Sequence, residues 1–141
     1  MKNRVASGII FVLLGALISL GPKYLFKVCT PMNDQFMRCY WTGRAELGIG
    51  LLIAILGILI FLIPSARTRL GINLSLVFTG LLASSVPTVL IGVCEMPKMN
   101  CHAVAAPSLL VLGILTTVLS LVNVIYLLRT TASKVSSSEA K

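Results

Sequence analysis

The stretch LGIGLLIAILGILIFLIPSA, residues 47–66, indicates the fold, because none of its twenty side chains is charged. A helix of about 20 apolar residues spans the hydrocarbon core of a bilayer, which is about 30 Å thick. Three other uncharged stretches have similar lengths, namely 5–22, 70–94 and 103–128. Of the 141 residues 57% are hydrophobic and 11% are charged, whereas a soluble domain carries about 25% charged residues. The sequence therefore predicts an all-α, integral membrane four-helix bundle.

The distribution of charge excludes several classes of function. The four acidic residues are scattered, which argues against a paired-carboxylate active site and against a site for hard cations. The net charge is +8, but the basic residues flank the uncharged stretches as they do around membrane spans. We therefore expect a lipid bilayer and no nucleic acid as a partner. Asn73 and Asn123 fall within predicted helices, where we expect them to form hydrogen bonds between helices or at the membrane interface.

The connections between the predicted helices indicate a topology. The short connection 64–69 predicts a tight antiparallel hairpin. Seven of the twelve Lys and Arg lie at the termini and in this connection, against five in the predicted outer loops, 23–46 and 95–102. This bias predicts that both termini are cytoplasmic. Residues 1–129 form the predicted transmembrane domain, and the Ser-rich tail, 130–141, is predicted to be a disordered cytoplasmic segment.

Cysteine and methionine are concentrated in the two outer loops, which contain every methionine except the initiator. The residues are Cys29, Met32, Met37 and Cys39 in the first loop, and Met96, Met99 and Cys101 in the second, with Cys94 at the helix end just before it. Each loop gives a Cys, an adjacent Pro and Met, and then Met-x-Cys before a ring residue, Tyr40 or His102. This repetition predicts two related helix-loop-helix hairpins in parallel, with both loops on one side of the membrane.

The chain resembles a family of small bacterial four-span membrane proteins that is described only as a domain of unknown function. The resemblance rests on the paired loop cysteines and on MRCYWTGRAE, residues 37–46, and it covers nearly the whole chain. The sequence has Tyr40 where we would look for a His after the first loop's second cysteine. The resemblance implies the bacterial cytoplasmic membrane and an association with exporter-type ATP-binding cassette systems.

The loop cysteines allow three hypotheses. The favoured one is two structural disulfides, Cys29 with Cys39 and Cys94 with Cys101, in an oxidising compartment and without a cofactor. The second is a quinone-linked membrane thiol-disulfide oxidoreductase, because such enzymes also combine four helices with two outward cysteine pairs. The third is a soft-ligand site for Cu(I) or haem, built from the loop methionines and His102.

Four residues at the start of the second predicted helix are further candidates for an interaction site. Tyr40 and Trp41 are expected to anchor the helix at the membrane interface. Arg44 and Glu46 are expected to form a surface ion pair with each other or with Lys98. We therefore expect a non-enzymatic accessory or interaction subunit of a larger membrane complex, such as an ABC-type exporter.

The topology can be tested by labelling single cysteines in a cysteine-free variant. With Arg67→Cys, we expect no reaction with a membrane-impermeant maleimide added to intact cells, because the 64–69 connection is predicted to be cytoplasmic. Labelling should appear after the cells are opened. Reaction in intact cells would contradict this topology, and with it the oxidising compartment assigned to the cysteines.

Overall fold

The structure, a computed structural model, describes residues 2–25, 38–92 and 104–139. Within these ranges the chain is helical, without β-strands. The four helices are α1 (Lys2–Leu20), α2 (Arg38–Leu62), α3 (Ala66–Ser85) and α4 (Ala106–Glu139). Four segments are long and apolar enough to cross a membrane, and they are Arg4–Tyr24, Tyr40–Leu62, Ala66–Leu90 and Ala106–Thr131. The predicted all-α fold with four candidate membrane spans is confirmed.

Two of the helices end in a π-helical turn that begins one residue before a proline. Gly21–Leu25 continues α1 and includes Pro22, and Val86–Leu90 continues α3 and includes Pro87. Proline has no backbone N–H and its ring collides with the carbonyl four residues earlier. A wider turn relieves this collision while the helix continues. The two π-turns are therefore a direct consequence of the prolines.

The helices associate as two antiparallel hairpins, α1 with α2 and α3 with α4. In the first hairpin Gly15 lies against Gly50, and a Cβ atom on Gly15 would stand only 2.6 Å from the carbonyl oxygen of Gly50. In the second, a Cβ atom on Gly113 would stand 2.7 Å from the backbone nitrogen of Ser84 and 3.1 Å from the oxygen of Gly80. Only glycine permits such close approach, which is typical of helix pairs within membranes.

The two hairpins bury the same positions. The buried residues of α2 and α4 coincide throughout 42–60 and 105–123 when the numbers are offset by 63. Those of α1 and α3, with their π-turns, coincide throughout 8–22 and 73–87 when they are offset by 65. The glycine contacts and the π-turns obey the same offsets. The structure therefore agrees with two related hairpins in parallel, and α1 and α3 both start at the same end of the bundle.

A shared core lies between the hairpins. Its fully buried apolar side chains come from all four helices, and they are Phe11, Leu14, Ile18, Ile53, Ile60, Leu76 and Leu109. Contacts between the hairpins, α2 with α3 and α1 with α4, are fewer than those within each hairpin. The seams between the hairpins are therefore looser than the glycine-lined contacts inside them.

The helix boundaries differ from those expected at two places. Residues 38–46 were predicted to be part of an outer loop, but they form the first turns of α2. Residues 130–139, predicted to be disordered, continue α4. In both cases charged and polar residues mark where the apolar stretch stops, while the helix itself continues. Beyond Gly113 the sequence contains neither glycine nor proline to end α4.

The close glycine contacts can be tested by adding a single methyl group. In Gly50→Ala the new Cβ would collide with the backbone nitrogen of Ser19, so the free energy of unfolding should fall by about 1 to 3 kcal/mol. Gly48→Ala is the matched control in the same helix, since no atom lies within 4 Å of its Cβ position. It should be neutral or stabilising, because alanine favours helix by up to about 1 kcal/mol. Similar destabilisation of both variants in detergent would contradict the contact.

Candidate functional site

We call the end at which α2 begins the loop end, and the opposite end, at which α1 and α3 begin, the terminal end. At the loop end the side chain of Glu46 is fully buried, with 0% of its surface exposed. Neither of its carboxylate oxygens has a hydrogen-bond partner among the residues that the structure describes. The equivalent position in the second hairpin is Leu109, which is also buried. The first hairpin thus places a carboxyl group where the second has an aliphatic side chain.

The burial of Glu46 is informative because an unpaired carboxylate is costly to remove from water. Glu46 lies inside the span that begins at Tyr40, and six residues of helix place it about 9 Å from that residue along the axis. Ionisable residues at such positions usually have a functional role. Glu46 is therefore the leading candidate at this end of the bundle.

The backbone around Glu46 is fixed by a contact with the end of α3. One turn before Glu46, the hydroxyl of Thr42 donates a hydrogen bond of 2.8 Å to the carbonyl oxygen of Gly92. Gly92 has φ of 73°, a left-handed conformation that favours glycine. Its N–H and that of Ile91 both donate to the oxygen of Val86, which closes the π-turn. The start of α2 is thereby attached to the second hairpin.

The half-buried Tyr40 and the exposed Trp41 and Arg44 form a group on the outer face of α2, within two turns of Glu46. The guanidinium of Arg44 lies 5.5 Å from the centroid of the Tyr40 ring, and the Tyr40 and Trp41 rings meet edge-on at 5.9 Å. More than half of the Trp41 side chain, 56%, is exposed. The predicted surface pairing of Arg44 with Glu46 is wrong: residues two apart on a helix point in different directions, and Glu46 is buried.

The remaining predicted site residues cannot be placed. The side chain of Cys39 lies outside the described residues, although its backbone belongs to α2. Residues 26–37 and 93–103 lie wholly outside the described residues. The predicted site residues among them are Cys29, Met32, Met37, Cys94, Met96, Lys98, Met99, Cys101 and His102. The hypotheses of disulfides, thiol exchange and a soft-ligand site therefore stay predictions. Among the described residues, no group of three or more His, Cys, Asp and Glu could hold a metal ion.

A polar cluster that bridges two helices lies at the terminal end. The side-chain amide of Asn123 donates a hydrogen bond of 2.9 Å to the side-chain oxygen of Asn73, and Asn73 donates one of 2.7 Å to the carbonyl of Arg69. This confirms the expected hydrogen bond between helices. The first hairpin has Gly8 and Ile60 at the equivalent positions, so the asparagine pair distinguishes the second hairpin from the first.

Two arginines also lie at the terminal end, and both have nitrogens without partners. Arg69 is 8% exposed, and its Nε and Nη2 atoms have no hydrogen-bond partner among the residues described. The Nε of Arg4 is in the same situation. Arg4 and Tyr126 lie near Arg69. In the sequence both arginines are ordinary flanking charges, although their separation of 65 residues matches that between Gly15 and Gly80.

Comparison with known proteins places this arrangement in a family. The model of the domain of unknown function DUF4418 matches residues 11–126. The chain belongs to this family. The match includes Glu46, Arg69 and the asparagine pair and begins after Arg4. No curated protein and no solved structure matches the chain.

Replacement of Glu46 tests whether its burial has an energetic cost. Glu46→Leu should raise the free energy of unfolding by about 1 to 3 kcal/mol, because an unsatisfied polar group is replaced by the side chain found at Leu109. Glu46→Gln is the control, since it keeps a polar group of the same size at the position and should be less stable than the leucine variant. Thermal unfolding in detergent would measure both. Loss of stability in Glu46→Leu would show instead that the carboxyl group has a stabilising partner.

Proposed function

We propose that the chain is a non-enzymatic membrane subunit that joins a larger membrane complex through its loop end. The observation that carries this proposal is the group of Tyr40, Trp41 and Arg44 on the outer face of α2, within two helical turns of the buried Glu46. Tyrosine, tryptophan and arginine are the residues most enriched at the centres of protein interfaces. Within a membrane they offer both apolar area and directed polar contacts. An exporter-type complex is the partner that the family resemblance implied.

The position of this group supports an attachment to a partner in addition to anchoring in the membrane. An aromatic residue at the interface orients a helix on its own, but Trp41 is accompanied by a cation that contacts an adjacent ring. Glu46 adds a buried carboxyl group without a partner in the described part of the chain. A cation delivered to this end, from residues 26–37, from 93–103 or from a partner, would satisfy that group.

The proposal also includes the orientation of the chain in the membrane and the disulfide bonding of the cysteines. We place the loop end outside the bacterial cytoplasmic membrane, where disulfides within each loop would hold the two loops in shape. The termini would then be cytoplasmic. A quinone-linked exchange reaction or a copper or haem site would need these cysteines reduced or labile. The redox state of the four cysteines in the purified protein, with and without quinone, separates these possibilities.

Photo-cross-linking in the native host tests the proposed attachment. A photoreactive amino acid at position 41 or 44 should give a protein adduct of one defined mass, because these side chains are exposed at the loop end. The adduct should be identified by mass spectrometry after affinity purification of this chain. The same amino acid at position 111, on an exposed face of α4 within the span, should give no such adduct.

Two further measurements make the test specific. Because positions 41 and 44 are themselves replaced here, the photoreactive amino acid is placed at position 40, where it should give the same adduct. The double replacement Trp41→Ala, Arg44→Ala should abolish this adduct without changing the amount of protein in the membrane. Phe78→Ala, which shortens an equally exposed side chain on α3, should leave that adduct intact. Cross-links to lipid alone from positions 41 and 44 would contradict a protein partner at the loop end.

A further inference from the structure

The terminal end concentrates positive charge without a nearby acidic residue among those that the structure describes. Arg4 and Arg69 lie in the first turns of α1 and α3, and neither first turn contains an acidic residue. Glu46 is sixteen residues from the terminal end of α2, about 24 Å along the helix, and Glu139 is thirteen residues beyond Tyr126, about 20 Å. Two arginines thus stand beside the positive ends of two helix dipoles without a carboxylate in the described ranges to pair with them.

An amphipathic groove leads away from this end along the seam between α1 and α4. The groove has a volume of about 220 Å³. Its polar lining, Ser7, Asn123 and Tyr126, lies toward the terminal end, and its apolar lining, which includes Ile10 and Leu119, lies deeper. The volume is below the roughly 300 Å³ of the smallest typical ligand pockets, so it suits one flexible segment better than a whole enclosed ligand.

The groove and the arginines belong to one polar network. Asn123 lines the groove and is joined through Asn73 to the backbone of Arg69. Tyr126 also lines the groove and lies near Arg69. A molecule with an anionic group at the arginines would therefore have its apolar portion directed into the groove.

We propose that Arg4 and Arg69 bind the phosphate group of an anionic phospholipid, with one acyl chain in the groove between α1 and α4. Guanidinium groups bind phosphate through paired, charge-assisted hydrogen bonds, and the partnerless nitrogens of Arg69 are buried donors for such bonds. The site lies where the candidate spans end, which is the depth of a lipid headgroup. The change from polar to apolar lining along the groove matches the boundary between headgroup and acyl chain.

Native mass spectrometry of the full chain in detergent tests this site. The probes are phosphatidylglycerol and phosphatidylcholine with the same acyl chains. We expect the anionic lipid to bind in a 1:1 ratio. The double variant Arg4→Gln, Arg69→Gln should bind it at least about tenfold more weakly, because charge-assisted hydrogen bonds are lost. Arg67→Gln, an exposed arginine in the same connection as Arg69, is the matched control and should bind like the unchanged protein.

Two additional measurements identify the source of the phosphate group and control for misfolding of the variants. Val122→Trp should fill the exposed edge of the groove. It should weaken binding of the lipid without affecting binding of inorganic phosphate. Because Arg69 is buried, the half-buried Arg4 is also replaced alone, and phosphatidylglycerol should then raise the melting temperature less than in the unchanged protein. Equal binding of both lipids would overturn the site. So would a loss of lipid binding in Arg67→Gln equal to that in Arg4→Gln, Arg69→Gln. If phosphate or glycerol 3-phosphate binds as tightly as the lipid, and Val122→Trp does not affect that binding, the bound phosphate group does not come from a lipid.

Discussion

Backbone contact between helices at four glycines is the constraint on which the bundle depends. Lipid chains are as apolar as leucine, so apolar side chains alone give membrane helices little reason to associate. Gly15 with Gly50, and Gly80 with Gly113, instead allow the backbones to touch. Each contact joins two antiparallel helices into one hairpin. Among the described residues, the seams between the hairpins have no comparable glycine contact, and this leaves room for the groove between α1 and α4.

The scaffold is duplicated, whereas its polar groups are mostly not. Glu46 occurs only in the first hairpin, since Leu109 takes its place in the second. Asn73 and Asn123 occur only in the second, where they bond to each other. These differences lie at opposite ends of the bundle. A duplicated fold therefore has different polar groups at its two ends, and these are the basis of the two proposed sites, one for a protein partner at the loop end and one for an anion at the terminal end.

The sequence predicted the fold because the lengths of the uncharged stretches match the thickness of a bilayer. It did not predict the helix boundaries, because a helix such as α2 extends past the apolar stretch into residues 38–46. This extension also changed the interpretation of Glu46: a residue assigned to the surface is buried once α2 begins at Arg38. Burial depends on the neighbouring helices, which spacing along one chain does not specify.

The candidate sites were predictable to different degrees. Hydrogen bonds between helices or at the membrane interface were expected of Asn73 and Asn123, because amides in membrane helices need partners, but their bond to each other was not predicted. Tyr40 and Trp41 were expected at the loop end, but the contact of Arg44 with the Tyr40 ring depends on a helical turn that was taken to be loop. The arginine pair was missed because Arg4 and Arg69 are far apart in sequence and ordinary as flanking charges. Comparison of residues 65 apart would have found it.

The most direct test of the duplicated scaffold is a comparison of equivalent distances in its two halves. Spin labels attached to cysteines at positions 13 and 52 report on the first hairpin, and labels at 78 and 115 report on the second. All four positions are exposed, and each pair follows from the other by the offsets of 65 and 63. In a variant without the native cysteines, double electron-electron resonance should give coinciding distance distributions for the two pairs. Clearly different mean distances would contradict a scaffold built from two equivalent, glycine-packed hairpins.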